Sequence, residues 1–196
     1  MLYVKFKIQD PSKFEDFEKL YRHMDKVRQP GFQFEEEPTP EFNWDNMTEP
    51  EMNAAIEALL DSGDQNIIEA KRYQKLIPNY ANDYLEKYQQ HDNDKLGQLG
   101  ILNTKSLLNY LEYGFEVFFT KFEQQNKTFG CIEFSTDNYP FGGLDRFLMV
   151  LCAFNLTPIE CFNGFVIHEF KWLSPFDYTT IDFPEKTNSY LKRNRK

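Results

Sequence analysis

Between Arg28 and Lys71 the chain has no lysine and no arginine. Residues 29 to 70 therefore cannot neutralise a phosphate backbone, and no basic patch interleaved with aromatics occurs elsewhere to do so. Nucleic acid is not an expected partner. Cysteine is scarce too. Cys131, Cys152 and Cys161 make an odd count with no C-x-x-C, which excludes both a disulfide framework and a zinc ribbon. The three histidines, His23, His91 and His168, show no metal-ligand spacing. There is no G-x-G-x-x-G and no Walker lysine pattern, so no cofactor is expected. Long apolar runs are missing as well. "FLMVLCAF" is too short to cross a bilayer, and the opening "MLYVKFKIQD" alternates instead of forming a signal h-region. With its three cysteines in apolar settings, the chain is expected in a reducing compartment, the cytoplasm, away from membranes.

What the cation-free stretch does contain is acid. It holds eleven aspartates and glutamates, a charge of −11 against −9 for the whole chain, so this one segment supplies all of the negative excess. Its first half, "QPGFQFEEEPTPEFNWDNMTEPE", mixes carboxylates with aromatic rings and prolines. Pro38 and Pro40 bias the backbone to extended conformations, which predicts a long loop at about 30–47. Carboxylates steer a cationic partner over distance, and aromatics anchor it on contact. The candidate partner-binding residues are Phe34, Glu35, Glu36, Glu37, Phe42, Trp44 and Asp45. A loop serving only solubility would gain little from Phe and Trp.

Residues 2 to 8 read as a strand. Asp10-Pro11 caps a helix whose apolar face, Phe14, Phe17, Tyr21, Met24 and Val27, runs to about Arg28, where Pro30-Gly31 stops it. "TEPE" at Thr48 is a capping box for a helix expected to turn Met52, Ile56, Leu59 and Leu60 inward. A further helical stretch, about 65 to 90, should break or kink at Pro78. "HDNDKLGQLG" reads as a loop containing His91, and Thr104 to Tyr113 as a short helix. The block at about 48–113 is thus a helical subdomain or insertion. From Phe115 the apolar period changes to two, and "FEVFFTKF" and "TFGCIEFST" read as paired strands. Leu144, Phe147, Leu148, Leu151 and Phe154 form a buried helix face, followed by strands "PIECF" and "FVIHEFKW". The order predicts a single α+β domain over 1–196, with helices on a mainly antiparallel sheet. The basic tail "KRNRK" suits a helix C-terminus.

Candidate catalytic groups are few. Gly142-Gly143 opens a helix, where it makes a tight turn; Asp145 in the first turn would repel a phosphate. "DNDKLGQ" puts Leu96 where a calcium loop needs an oxygen ligand. Asn163-Gly164 predicts a two-residue type I′ hairpin. That turn would set Phe162 against Phe165, Cys161 against Val166 and Ile159 against His168, leaving Cys161 and His168 as diagonal neighbours, too far apart for a direct bond. No catalytic or metal residues are assigned. The expected function is that of a non-enzymatic binding or inhibitor protein of the toxin-immunity type, with a basic protein as partner. Two alternatives differ in class: an enzyme using His168 with Cys161 or Glu160, and an acidic nucleic-acid mimic.

Overall fold

The computed structural model describes residues 1–34, 42–63, 65–91, 104–112, 117–136 and 143–194. Among them run β1 (Leu2–Ile8), α1 (Pro11–Val27), α2 (Glu49–Gly63), α3 (Gln65–Leu76), α4 (Asn79–His91), α5 (Thr104–Glu112), β2 (Phe118–Gln124), β3 (Phe129–Ser135), α6 (Leu144–Ala153), β4 (Leu156–Phe162), β5 (Ile167–Trp172), β6 (Tyr178–Asp182) and α7 (Pro184–Asn194). The strands form one sheet in the order β2-β3-β1-β4-β5-β6, with every neighbouring pair antiparallel. This is the expected α+β architecture.

Local chemistry sets the helix ends. Asp10 caps α1 by accepting from the Ser12 amide at 3.0 Å, with Pro11 in the first turn. The capping box at α2 forms: the Glu51 carboxylate accepts from the Thr48 amide at 2.8 Å and from its hydroxyl at 2.7 Å. The chain breaks at Ile77-Pro78 into α3 and α4, because proline has no amide proton to continue the ladder.

Alternation along β1 gives the sheet two apolar faces. Val4, Phe6 and Ile8 face α1 and α6, joined by Ile132, Phe134, Leu156 and Cys161 from neighbouring strands. Phe17 of α1 meets Phe154 edge-on at 5.5 Å, and Phe14 stacks on Phe122 at 5.2 Å. Edge-to-face and offset pairs of this kind suit the ring quadrupoles. Helix α6 packs on β4 on one side and α4 on the other, so it is buried nearly all round. Leu85 of α4 and Leu107, Leu108 and Leu111 of α5 belong to the same core. The opposite face carries Tyr3, Cys131, Phe162 and Ile167, covered by Tyr190 and Leu191 of α7.

One strand is not announced by apolar periodicity. Strand β6, "YTTID", is an edge strand with four of its five residues exposed, so no alternation marks it. Its pairing with β5 alone creates it. His91, expected in a loop, is the last residue of α4. Among the described residues no helix is long and apolar enough to cross a membrane.

Candidate functional site

The hairpin between β4 and β5 differs from the expected one by two residues. Phe162 pairs with Ile167, Cys161 with His168 and Glu160 with Glu169. The cause is the Asn163 side chain, whose Oδ1 accepts from the amides of Phe165 at 2.9 Å and Val166 at 3.0 Å. This Asx turn makes a four-residue loop, Asn163 to Val166. Gly164 takes the positive φ of +100°, but Asn163 does not, since Asn155 is the sole non-glycine with positive φ among the described residues. The type I′ turn is therefore absent. A shift of two keeps each side chain on its face but changes its partner. Cys161 Sγ and His168 Nε2 lie 3.0 Å apart, in direct contact and not on a diagonal. Val166 falls in the loop, and Ile159 sits at a register shift where Lys5 pairs with Glu160 and Phe6 with Pro158.

The contact holds two neutral groups. Burial pushes the Cys161 thiol up to about 12, and burial also lowers His168, against the opposing pull of Asp182. A nucleophilic cysteine needs the reverse, a depressed thiol beside a protonated base. Glu160 is not part of this pair. It points to the other face, where it accepts from the Tyr3 hydroxyl at 2.7 Å, pairs with Lys5 at 2.8 Å and is bonded by Lys186 of α7. Burial raises its carboxyl, and these donors outweigh that and hold it below the usual range.

The acidic segment divides. Glu35, Glu36 and Glu37 lie outside the described residues, as does the side chain of Asp45. Phe42 and Trp44 are tilted against each other at 5.5 Å, and Trp44 is 42% exposed at the start of a short 3-10 turn. Exposure also occurs in α2, where the sequence suggests core. Among the described side chains of α2 the buried one is Ala55, while Ile56 and Leu60 are 47% and 69% exposed. They stand one helical turn apart, beside exposed Glu57 and with exposed Glu49 and Glu51 in the first turn. The expected inward turn of Ile56 and Leu60 fails because α2 packs mainly against α3 and not on the sheet. Met52 and Leu59 are partly buried.

Phe34 has different surroundings. Its ring lies 4.2 Å under the Arg72 guanidinium and edge-on to Phe32 at 4.9 Å. It lines a cleft of about 240 Å³ with Lys26, Lys75 and His23. Phe34 thus belongs with cations, away in chemistry from the acidic face of Trp44. Behind it sits Glu112, whose side chain is wholly buried. Glu112 accepts two bonds from Arg72, each 2.9 Å, and contacts His23 Nε2 at 2.5 Å. Nothing in the sequence marks this cluster, because its members lie on α5, α3 and α1.

A second cleft, about 270 Å³, opens between α4, α6 and the turn joining β5 to β6. Tyr88, Phe176 and Tyr178 line it, together with Asp145, Asp177 and His91. The Tyr178 hydroxyl donates to Asp145, and His91 Nε2 lies 3.1 Å from Asp177. Asp145 therefore serves β6 as well as the first turn of α6, a role that follows from neither glycine nor helix dipole. The stretch Asp92 to Gln98, which Leu96 disqualifies as a calcium loop, lies outside the described residues, as does Gly142. No group of three metal-ligating side chains occurs among the described residues. No family model, no curated protein and no solved structure matches the chain, so its function has to be read from its own chemistry.

Proposed function

We propose that this is a non-enzymatic binding protein that presents an acidic, apolar surface to a basic protein partner, as an inhibitor or a toxin-neutralising immunity protein would. The observation that supports this reading is the exposure of Trp44, Ile56 and Leu60 inside the stretch that carries eleven acids and no base. Large apolar side chains left in water on a helix, rimmed by carboxylates, are the composition of an interface: anchors in the middle and steering charge around them. Charge complementarity commits the partner to being basic. The surface is extended relative to the sequence-based candidates, from Phe42 and Trp44 onto α2.

The test is affinity capture from cell extract with wild type and two variants, Trp44→Ala and Ile56→Ser with Leu60→Ser, followed by kinetics on the recovered protein. The expected partner is basic. Its association should slow as salt rises, because steering between exposed charges is screened within about 8–10 Å. Trp44→Ala should raise the dissociation rate, with a loss of about 2 kcal/mol or roughly 30-fold in affinity if the ring is an anchor. Recovery of an acidic protein, or of one that binds both variants as well as wild type, would refute the reading.

A further inference from the structure

The cleft between α4, α6 and the β5–β6 turn combines three aromatic rings with two carboxylates, and among the described residues no lysine or arginine lines it. We propose that it is a binding site for an organic cation, an ammonium or guanidinium group on a short aliphatic stem. The rings come from three places in the chain. Tyr88 lies in the last turn of α4, Phe176 in the turn after β5, and Tyr178 begins β6. Phe176 stands 5.9 Å from Tyr88 and 5.2 Å from the His91 ring, and Tyr84 packs edge-on to it at 5.1 Å. The aromatic wall is thus supported from behind.

The carboxylates are held in place by hydrogen bonds. Asp145 accepts from the Tyr178 hydroxyl. That phenol is held strongly in its protonated form by burial, by the bond to Asp145 and by its charge. Asp177 accepts from the Ser174 hydroxyl at 2.7 Å and faces His91. Each aspartate therefore has a fixed position before any ligand arrives, which lowers the ordering cost of binding.

The ligand class follows by elimination. Two aspartates disfavour an anion. A metal ion needs several oxygen or nitrogen ligands around one point, and no such group of three exists among the described residues. Aromatic faces contribute nothing to a hydrated metal but attract a weakly hydrated organic cation through their quadrupoles. The volume, about 270 Å³, is that of a head group and its stem, smaller than the usual range for a drug-sized ligand. The site is independent of what docks on α2.

Calorimetric or NMR titration of the full chain tests this with four probes: choline, the neutral isostere of choline with carbon in place of nitrogen, Nα-acetyl-lysine amide and Nα-acetyl-arginine amide. Choline or one of the amides should bind at least about tenfold more tightly than the neutral isostere, and Asp145→Asn and Asp177→Asn should each weaken the cation about tenfold. Asn at 145 can still accept from Tyr178, so folding should survive, and a melting curve checks it. Choline binding more tightly than the amides identifies a free quaternary ammonium ligand. The reverse order identifies a basic side chain of a polypeptide. Binding of all three cations no tighter than that of the neutral isostere, no cation binding at millimolar concentration, or unchanged affinity in both folded aspartate variants overturns the proposal.

Discussion

Replacing Glu112 with glutamine should be among the most damaging single changes of one atom type in this protein. The carboxylate has no solvent exposure, while its partners Arg72 and His23 keep 12% and 17%. The substitution keeps the volume and one acceptor but leaves the Arg72 guanidinium, stacked on Phe34, without the charge it is paired with. Breaking a buried pair by neutralising one member costs about 3–5 kcal/mol, and the residual exposure of Arg72 argues for the lower end, about 3 kcal/mol. For a urea slope of about 2 kcal/mol/M this moves the unfolding midpoint down by roughly 1.5 M. The double replacement Glu112→Leu with Arg72→Met removes both charges and should cost less than Glu112→Gln alone, because neither member of the buried pair is left without the other. Acid should act on the same group. Burial pushes the Glu112 carboxyl up, but the bonds from His23 and Arg72 outweigh it and hold it below its ordinary value. A depressed folded value means that the stabilisation is complete above the unfolded pKa of about 4.3 and is lost as pH falls through the folded one. Urea midpoints measured from pH 7 down to pH 3 should therefore converge for wild type and Glu112→Gln at the acid end. A loss below about 1 kcal/mol for Glu112→Gln at pH 7, or a double variant less stable than the single one, would refute this account of how α1, α3 and α5 are tied together.

Three further outcomes are expected. Gly130→Ala places a methyl 2.5 Å from the Phe6 ring, inside the core, and should cost about 1–3 kcal/mol by overpacking; Gly164→Ala meets nothing within 4 Å and should cost only the roughly 1 kcal/mol of its positive φ, so thermal melts that rank the two in the opposite order contradict the packing described. Cys161, fully buried and with its thiol raised to about 12, should react slowly with a thiol reagent in the native state and quickly in urea; fast native labelling at neutral pH would restore the case for a nucleophile. His168 is held below its ordinary value mainly by burial, so its contribution is complete above about pH 6.5 and declines as pH falls below that; His168→Leu should flatten the stability profile between pH 7 and pH 5, and an unchanged slope would show that the imidazole is solvated.

Much of the fold was legible in the sequence because its determinants are local. Asp10 with Pro11, the Thr48–Glu51 box and the break at Pro78 each act between residues a few positions apart, and their energies do not depend on where the rest of the chain goes. The change of apolar period at Phe115 likewise marks strands whatever they pair with, and the −11 segment is visible by counting. What lies across the fold was not legible. The Asn163-Gly164 signal located the hairpin, but its register depended on a side chain accepting two amide bonds, which moved His168 from a diagonal to direct contact with Cys161. The apolar spacing of α2 marked Ile56 and Leu60 as core, yet periodicity states only that a face exists and not that another element covers it. Glu112 reads as one acid among 31 until α1 and α3 bring His23 and Arg72 to it. Strand β6 has no pattern of its own and exists through its bonds to β5. The sequence by itself determined the elements, their ends and the placement of charge, since these follow from neighbours along the chain. Only the tertiary structure decided which faces were buried, which charges met and which aromatic rings enclosed a cleft, because those depend on contacts between residues that the chain alone leaves far apart.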